Sequence, residues 1–255
     1  MNAFGNYSRY YDLLYRDKDY ASEAQFVQKL LQKYALSAKS ILELGCGTGT
    51  HAALLAKEEY QVHGIDLSAG MLQQATNRLS TLPAEVASRL EFSQGDIRSI
   101  RMNKQFDAVI SLFHVISYQI SNKDLQAAFA TVKAHLKPGG VFIFDCWYGP
   151  AVLSDRPVVR VKRIEDEGIS MIRIADSLMY PNENLVEVKY QIFIKQKNTG
   201  TLAEIQEHHK MRYLFKPEVN LLLNQFNFEC VECREWISNR EPGFDTWGVY
   251  FVVRA

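Results

Sequence analysis

Leu42-Glu43-Leu44-Gly45-Cys46-Gly47-Thr48-Gly49 decides the fold of this chain. A short apolar strand runs into three glycines at alternate positions, and the residues from Thr50 onward read as a helix. Backbone without side chains lets a bound ligand come close to the main chain, so a nucleotide-type ligand is expected at this loop. The spacing is not the dinucleotide fingerprint, whose last glycine would fall at Thr50, and hydride chemistry is demoted accordingly.

The same alternation of short apolar run, polar turn and helix continues on either side of the loop. Strands are expected at Ser40–Leu44, Gln61–Ile65, Leu90–Ser93, Phe106–Ser111 and Val141–Asp145, with helices near 50–59, 68–80 and 122–136. Lys137-Pro138-Gly139-Gly140 marks a helix stop and a turn into the fifth strand. Such an α/β chain winds doubly around a parallel sheet, with its ligands beyond the carboxyl ends of the strands. Upstream, Tyr7 to Tyr15 is an aromatic-rich arm, and Phe26, Val27, Leu30, Leu31 and Tyr34 stripe an amphipathic helix from about Tyr20 to Ala35. Downstream of Pro157, the stretches Val158–Glu165, Ile169–Tyr180, Leu185–Lys195 and Leu202–Phe215 alternate apolar and polar residues as an antiparallel meander. A helix over Pro217–Gln225 and strands at Phe228–Trp236 and Trp247–Val253 close the sheet. The expected division is 1–150 for arm and ligand-binding core, 151–216 for the β insertion, and 217–255 for the closing elements.

The 29 Lys plus Arg residues equal the 29 Asp plus Glu residues, so no global positive field draws a phosphate backbone or an anionic membrane. A small-molecule partner is favoured over nucleic acid. The first residues lack a basic stretch followed by an apolar core, and no run of about 18 apolar residues occurs, so a soluble, cytoplasmic protein is expected. Four cysteines at positions 46, 146, 230 and 233 are too few for a disulfide framework. Cys230 and Cys233 have the spacing of a zinc half-site, but no second pair follows. On a strand, residues three apart face opposite sides, so no metal is expected.

Asp66 follows the second strand, twenty-one residues beyond Gly45, where a carboxylate can accept from both hydroxyls of a ribose. The alternative role is an N-cap for the helix starting near Ser68. Asp96, in Gly95-Asp96-Ile97, is similarly placed to accept from an adenine amino group.

Glu43-Leu-Gly-Cys-Gly-Thr-Gly, Asp66, Gly95-Asp96 and Leu136-Lys-Pro-Gly-Gly140, in that order and spacing, resemble class I S-adenosylmethionine-dependent methyltransferases over residues 40 to 145. The resemblance implies a doubly wound, mostly parallel, seven-stranded Rossmann-like sheet, with the antiparallel insertion after its fifth strand. It also implies S-adenosylmethionine as cofactor, S-adenosylhomocysteine as product, and a cofactor pocket drawn from Tyr11, Tyr20, Glu43, Gly45, Cys46, Gly47, Asp66, Leu67, Met71, Asp96, Ile97, Leu112 and Phe113. A narrower resemblance, carried by Tyr11-Asp-Leu-Leu-Tyr15, Lys18-Asp-Tyr20-Ala-Ser-Glu23-Ala and the late insertion, is to bacterial N-methyl and N,N-dimethyltransferases of nucleotide-linked amino sugars of the desosamine and mycaminose type. The chain departs from that group at Phe113 to Tyr118, in place of a serine-rich turn, and at Phe244-Asp-Thr-Trp247, in place of a glycine-rich one. By that resemblance both segments are expected to border the acceptor, with Tyr118, Trp147 and Tyr148 as its contacts.

A sulfonium methyl is already a strong electrophile, so alignment of the nucleophile does most of the work, roughly 7–11 kcal/mol. An amine must also be neutral, and His114 or the Tyr15 phenol is placed to take or relay its proton. Packing of the turn is the alternative role of His114, and a packed arm is that of the Tyr11, Tyr15 and Tyr20 lid. His208 and His209 are expected to face opposite sides of their strand, one outward and one into the insertion. Ser111-Leu-Phe-His114 lacks the Asp/Asn-Pro-Pro-aromatic and Pro-Cys turns of nucleic-acid methylases. Sugar O-methylation, N-methylation of another small amine, and cofactor binding without transfer stay open as alternatives, as does a homodimer.

Overall fold

Apolar side chains on both faces of each central strand require a helical layer on each side of the sheet. The computed structural model describes Ser8 and residues 10–255, so the arm positions Tyr7 and Arg9 lie outside the described residues. In chain order the elements are α1 (Tyr11–Leu14), α2 (Tyr20–Tyr34), β1 (Ser40–Leu44), α3 (Thr50–Lys57), β2 (Gln61–Asp66), α4 (Ala69–Leu79), α5 (Ala84–Ala87), β3 (Leu90–Gln94), β4 (Phe106–Ser111), α6 (Asn122–His135), β5 (Leu136–Tyr148), α7 (Gly149–Ser154), β6 (Arg160–Glu165), β7 (Ile169–Tyr180), β8 (Leu185–Gln196), β9 (Leu202–Leu214), α8 (Lys216–Gln225), β10 (Glu229–Glu235) and β11 (Gly248–Arg254). β5 begins five residues earlier than expected because Leu136 already pairs with Phe106, and a register irregularity takes up the Lys137–Gly140 turn.

β3-β2-β1-β4-β5 is parallel, and antiparallel β11 and β10 continue from β5. Alternation divides the core cleanly. Leu42, Leu44, Val109, Phe142 and Phe144 pack with Leu125, Phe129 and Val132 of α6 and with Val219 and Leu223 of α8. Ile41, Ala108, Ile110, Val141 and Ile143 pack on the other face against Val27, Leu30 and Leu31 of α2 and Leu55 of α3. Each large buried side chain contributes roughly 1.5–3 kcal/mol.

The expected seven strands are present but are not the whole sheet, which has eleven among the described residues. β4 stops at Ser111, paired with Phe144. The exposed edge of β5 beyond that point takes β9 in parallel through Trp147–Tyr213 and Tyr148–Leu214. The meander β6–β9 therefore joins the sheet directly above the carboxyl end of β4. A bulge between Cys230 and Glu232 also corrects the expected alternation in β10: both Cys230 and Cys233 pack against the α6/α8 core, and burial pushes the Cys233 thiol up to about 12. No helix among the described residues is long and apolar enough to cross a membrane.

Candidate active site

The loop after β1 is pinned from beneath. Gly45 and Cys46 donate backbone hydrogen bonds to Ile65 O at 2.7 and 3.0 Å. The Asp66 carboxylate accepts from Gly47 N through Oδ2 and from Ser68 N through Oδ1, both at 2.8 Å. Asp66 is thus not the N-cap of α4; Ser68 is, accepting from Met71 N. Burial raises the Asp66 pKa, opposed by the Ser68 and Gly47 N–H groups. Glu43 was expected in the cofactor pocket, but its place on β1 turns it under the loop, toward α3, where it is 1% exposed. Burial, and then the nearby Asp66 charge, push its carboxyl up to about 8. Glu43 therefore carries a proton at neutral pH, and the pair avoids facing two buried charges.

A cavity of about 550 Å³ opens over this loop at the carboxyl ends of the strands, within the range of small-molecule sites. Tyr11, Tyr15, Tyr20, Gly45, Cys46, Gly47, Asp66, Leu67, Met71, Asp96, Ile97, Leu112, Phe113, His114, Tyr118 and Trp147 all line it. Tyr148 does not, because successive residues of β5 face opposite sides and it packs beside Cys146 on the α6/α8 core. Asp96 reaches the cavity with its carboxylate already gripped by the Arg98 guanidinium at 2.6 to 3.0 Å, which holds its pKa down. The aromatic faces of Tyr20 and Phe113 already carry a cation: Lys18 Nζ sits 4.8 and 4.4 Å from their centroids. Lys18 and His51 both pair with Glu23; burial pushes that carboxyl up, but the two partners outweigh it and hold it at about 2.

Residues 11–17 cross the cavity like a strap. Asp12 accepts from Thr48 Oγ1 at 2.7 Å and from Arg78 Nη2 at 2.8 Å, fastening α1 to the glycine loop. At the other end Lys162 of β6 donates to Leu14 O at 2.7 Å and pairs with Asp17. Leu14 is buried among Ile164, Met171, Ile192 and Ile194 of the meander.

In the turn after β4, Phe113 and His114 both have positive φ, +62° and +64°. Asp145, 1% exposed within β5, holds this turn by accepting from His114 N at 3.0 and 3.2 Å. His114 Nδ1 stands 2.8 Å from Asp145 Oδ2, at an angle outside hydrogen-bond geometry. The motif reading missed Asp145, although a carboxylate closing the apolar run Val141-Phe-Ile-Phe is a visible signal. It also missed His209. As expected, the two adjacent histidines diverge, with His208 outward against Glu187 at 3.2 Å. His209, however, is not only an insertion partner: it lines the cavity with Val188, Tyr190 and Met211. Parity along β9 carries that information only once the meander is known to cover the site.

Gly45 and Gly47 separate folding from binding. At Gly45, φ is +80° and a Cβ would lie 2.5 Å from Val115 Cγ1, so Gly45→Ala is expected to destabilise the fold by roughly 2–4 kcal/mol in denaturant titration. At Gly47, φ is +56° and a Cβ meets nothing on a residue that lines the cavity. Gly47→Ala is expected to cost about 1–2 kcal/mol of stability while weakening cofactor binding at least about 10-fold by calorimetry.

A family model described as a methyltransferase domain matches residues 41–140. The chain is 33% identical over 197 residues to dTDP-3-amino-3,4,6-trideoxy-α-D-glucopyranose N,N-dimethyltransferase of Streptomyces venezuelae, covering 76% of this chain and 79% of the relative. It is 30% identical over 190 residues to dTDP-3-amino-3,6-dideoxy-α-D-glucopyranose N,N-dimethyltransferase of Streptomyces fradiae, covering 74% and 71%. The crystal structure of DesVI from Streptomyces venezuelae superposes with a TM-score of 0.80 at 26% identity over 97% of both chains.

Proposed function

The chain belongs to the S-adenosylmethionine-dependent methyltransferases, and from that membership we propose that it methylates the amino group of a nucleotide-linked amino sugar. Its residues fit the cofactor. The Asp66 oxygens each keep acceptor capacity after one N–H bond, Gly47 leaves its side open, and the cavity of about 550 Å³ is within the range of small-molecule sites. Bound there, S-adenosylmethionine supplies an electrophilic methyl group. Gly45, Gly47 and Asp66 hold its methionine and ribose parts, Met71, Ile97 and the Asp96–Arg98 pair border its adenine, and the strapped Tyr11, Tyr15 and Tyr20 exclude water. The described residues up to position 150 supply the cofactor contacts and the turn Phe113–Tyr118, and the 151–216 insertion adds Val188, Tyr190, His209 and Met211 on the acceptor side.

The observation that carries the amine reading is His114 against the buried Asp145 carboxylate. An acceptor ammonium must lose a proton before it attacks, and Asp145, by accepting from His114 N, holds the turn so that the imidazole lines the chamber where that proton is released. Tyr15 borders the same turn, its ring edge-on to Phe113 at 5.1 Å, with its phenol accepting from Arg173 at 3.3 Å. It orients this wall of the chamber. A cytoplasmic setting suits the four free thiols.

Incubation with S-adenosylmethionine and dTDP-3-amino-3,6-dideoxyglucose is expected to give a product heavier by one or two methyl groups in mass spectrometry. A protein that binds the cofactor but methylates no amino sugar, while methylating a hydroxyl or another small amine, overturns the amino-sugar reading.

A further inference from the structure

Beyond the proton-taking end, the chamber carries a second polar feature, contributed jointly by the turn after β4 and by the meander. Tyr118 closes the 3-10 turn Val115–Tyr118 that follows His114. Its phenol lies 2.7 Å from His209 Nδ1 on β9. Both side chains line the cavity, and His209 is 3% exposed. Around them stand Val188, Tyr190 and Met211, with the Tyr190 ring 5.0 Å from the imidazole.

The pair is electrically neutral. Burial, helped by the Arg173 and His208 charges, lowers the His209 pKa to about 4, while burial keeps Tyr118 a phenol. Glu207 Oε2, 4.0 Å from His209 Nε2, favours the tautomer with the proton on Nε2. Nδ1 then accepts from the phenol. The nearby carboxylate also makes the spot unfavourable for a phosphate. A hydroxyl donates once and accepts twice, so a phenol engaged with His209 still has acceptor capacity for a ligand O–H.

We propose that Tyr118 and His209 form a subsite for a ring hydroxyl of the acceptor, on the side of the sugar away from its nucleotide; this rests on the amino-sugar reading above. His209, Val188 and Met211 are all buried, so the Tyr118–His209 wall suits the far edge of the ring, and the bulkier nucleotide takes the remainder of the cavity. Apolar Val188 and Met211 suit the deoxygenated positions beside that hydroxyl. A site built to hydrogen-bond a hydroxyl discriminates against an analogue lacking it. Because Tyr118 and His209 satisfy each other when no hydroxyl is present, the discrimination is smaller than for an orphaned donor.

The acceptors named for the two related enzymes differ only at carbon 4: the 3,6-dideoxy sugar keeps a hydroxyl there and the 3,4,6-trideoxy sugar lacks it. The parent protein is expected to show kcat/KM at least about 10-fold higher for the 3,6-dideoxy acceptor. Tyr118→Phe, which keeps the ring, and His209→Gln are each expected to bring the ratio within about 2-fold through a raised KM for the hydroxylated sugar. S-adenosylmethionine affinity by calorimetry stays unchanged. Methylation of both sugars by the parent at equal kcat/KM, or an unchanged ratio in Tyr118→Phe, overturns the subsite alone. No methylation of either sugar by the parent overturns the amino-sugar reading and the subsite with it.

Discussion

Asp66→Ala is expected to weaken S-adenosylmethionine binding by roughly 100-fold or more while leaving the protein folded. The carboxylate does two things at once. It fixes the loop through Gly47 N and the start of α4 through Ser68 N, and it offers its remaining lone pairs to the ribose hydroxyls. Hydrogen bonds to a charged group contribute about 1.5–3 kcal/mol each, and losing two with the ribose alone exceeds the roughly 2.7 kcal/mol of a 100-fold change. Gly47 N and Ser68 N border an open cavity, so water replaces the carboxylate there and the fold survives. Asp66→Asn has an intermediate effect, because its single amide oxygen serves one of the two N–H groups and its NH2 faces the other. Calorimetry with S-adenosylmethionine and S-adenosylhomocysteine, with circular dichroism to confirm folding, reads both variants. An alanine variant that binds as tightly as the parent removes Asp66 from the cofactor site.

His114→Ala is expected to lower kcat by roughly 100-fold, the usual contribution of a positioned proton acceptor, with cofactor affinity within a factor of two. Asp145→Asn keeps an oxygen for His114 N but removes the charge 2.8 Å from Nδ1. A fall in kcat of about 10-fold is expected, with thermal melting followed by circular dichroism close to that of the parent. A purely structural Asp145 would lower stability and leave kcat of the folded fraction unchanged. If His114→Ala retains activity within a factor of two, neutralisation of the acceptor lies elsewhere in the chamber.

The glycine-loop side of the candidate site was legible because Gly45, Gly47, Asp66 and Asp96 are tied to strand ends by local rules. A glycine after β1, a carboxylate after β2 and another after β3 converge wherever parallel strands lie side by side. Their register follows from apolar alternation, as Leu42 beside His63 and Val109 illustrates. Glu43 and Tyr148 fell short for one reason: their motifs locate them near the ligand, but strand parity turns Glu43 under the loop and Tyr148 into the α6/α8 core. The strap over the cavity depends on contacts between residues far apart in sequence, Asp12 with Arg78 and Leu14 with Lys162, and no local pattern encodes them.

By itself, then, the sequence determined a doubly wound α/β core, a glycine loop of the methyltransferase type, and an alternating meander whose adjacent histidines face opposite sides. Periodicity and glycine placement act over a few residues, and those features need nothing more. Only the tertiary structure decided that the meander joins β5 beyond the end of β4, bringing His209 to Tyr118 across ninety-one positions of chain. It likewise decided that Asp145 stands behind His114. The physical reason is that an edge left exposed by a short strand must be hydrogen-bonded, and which segment satisfies it depends on the packing of the whole molecule.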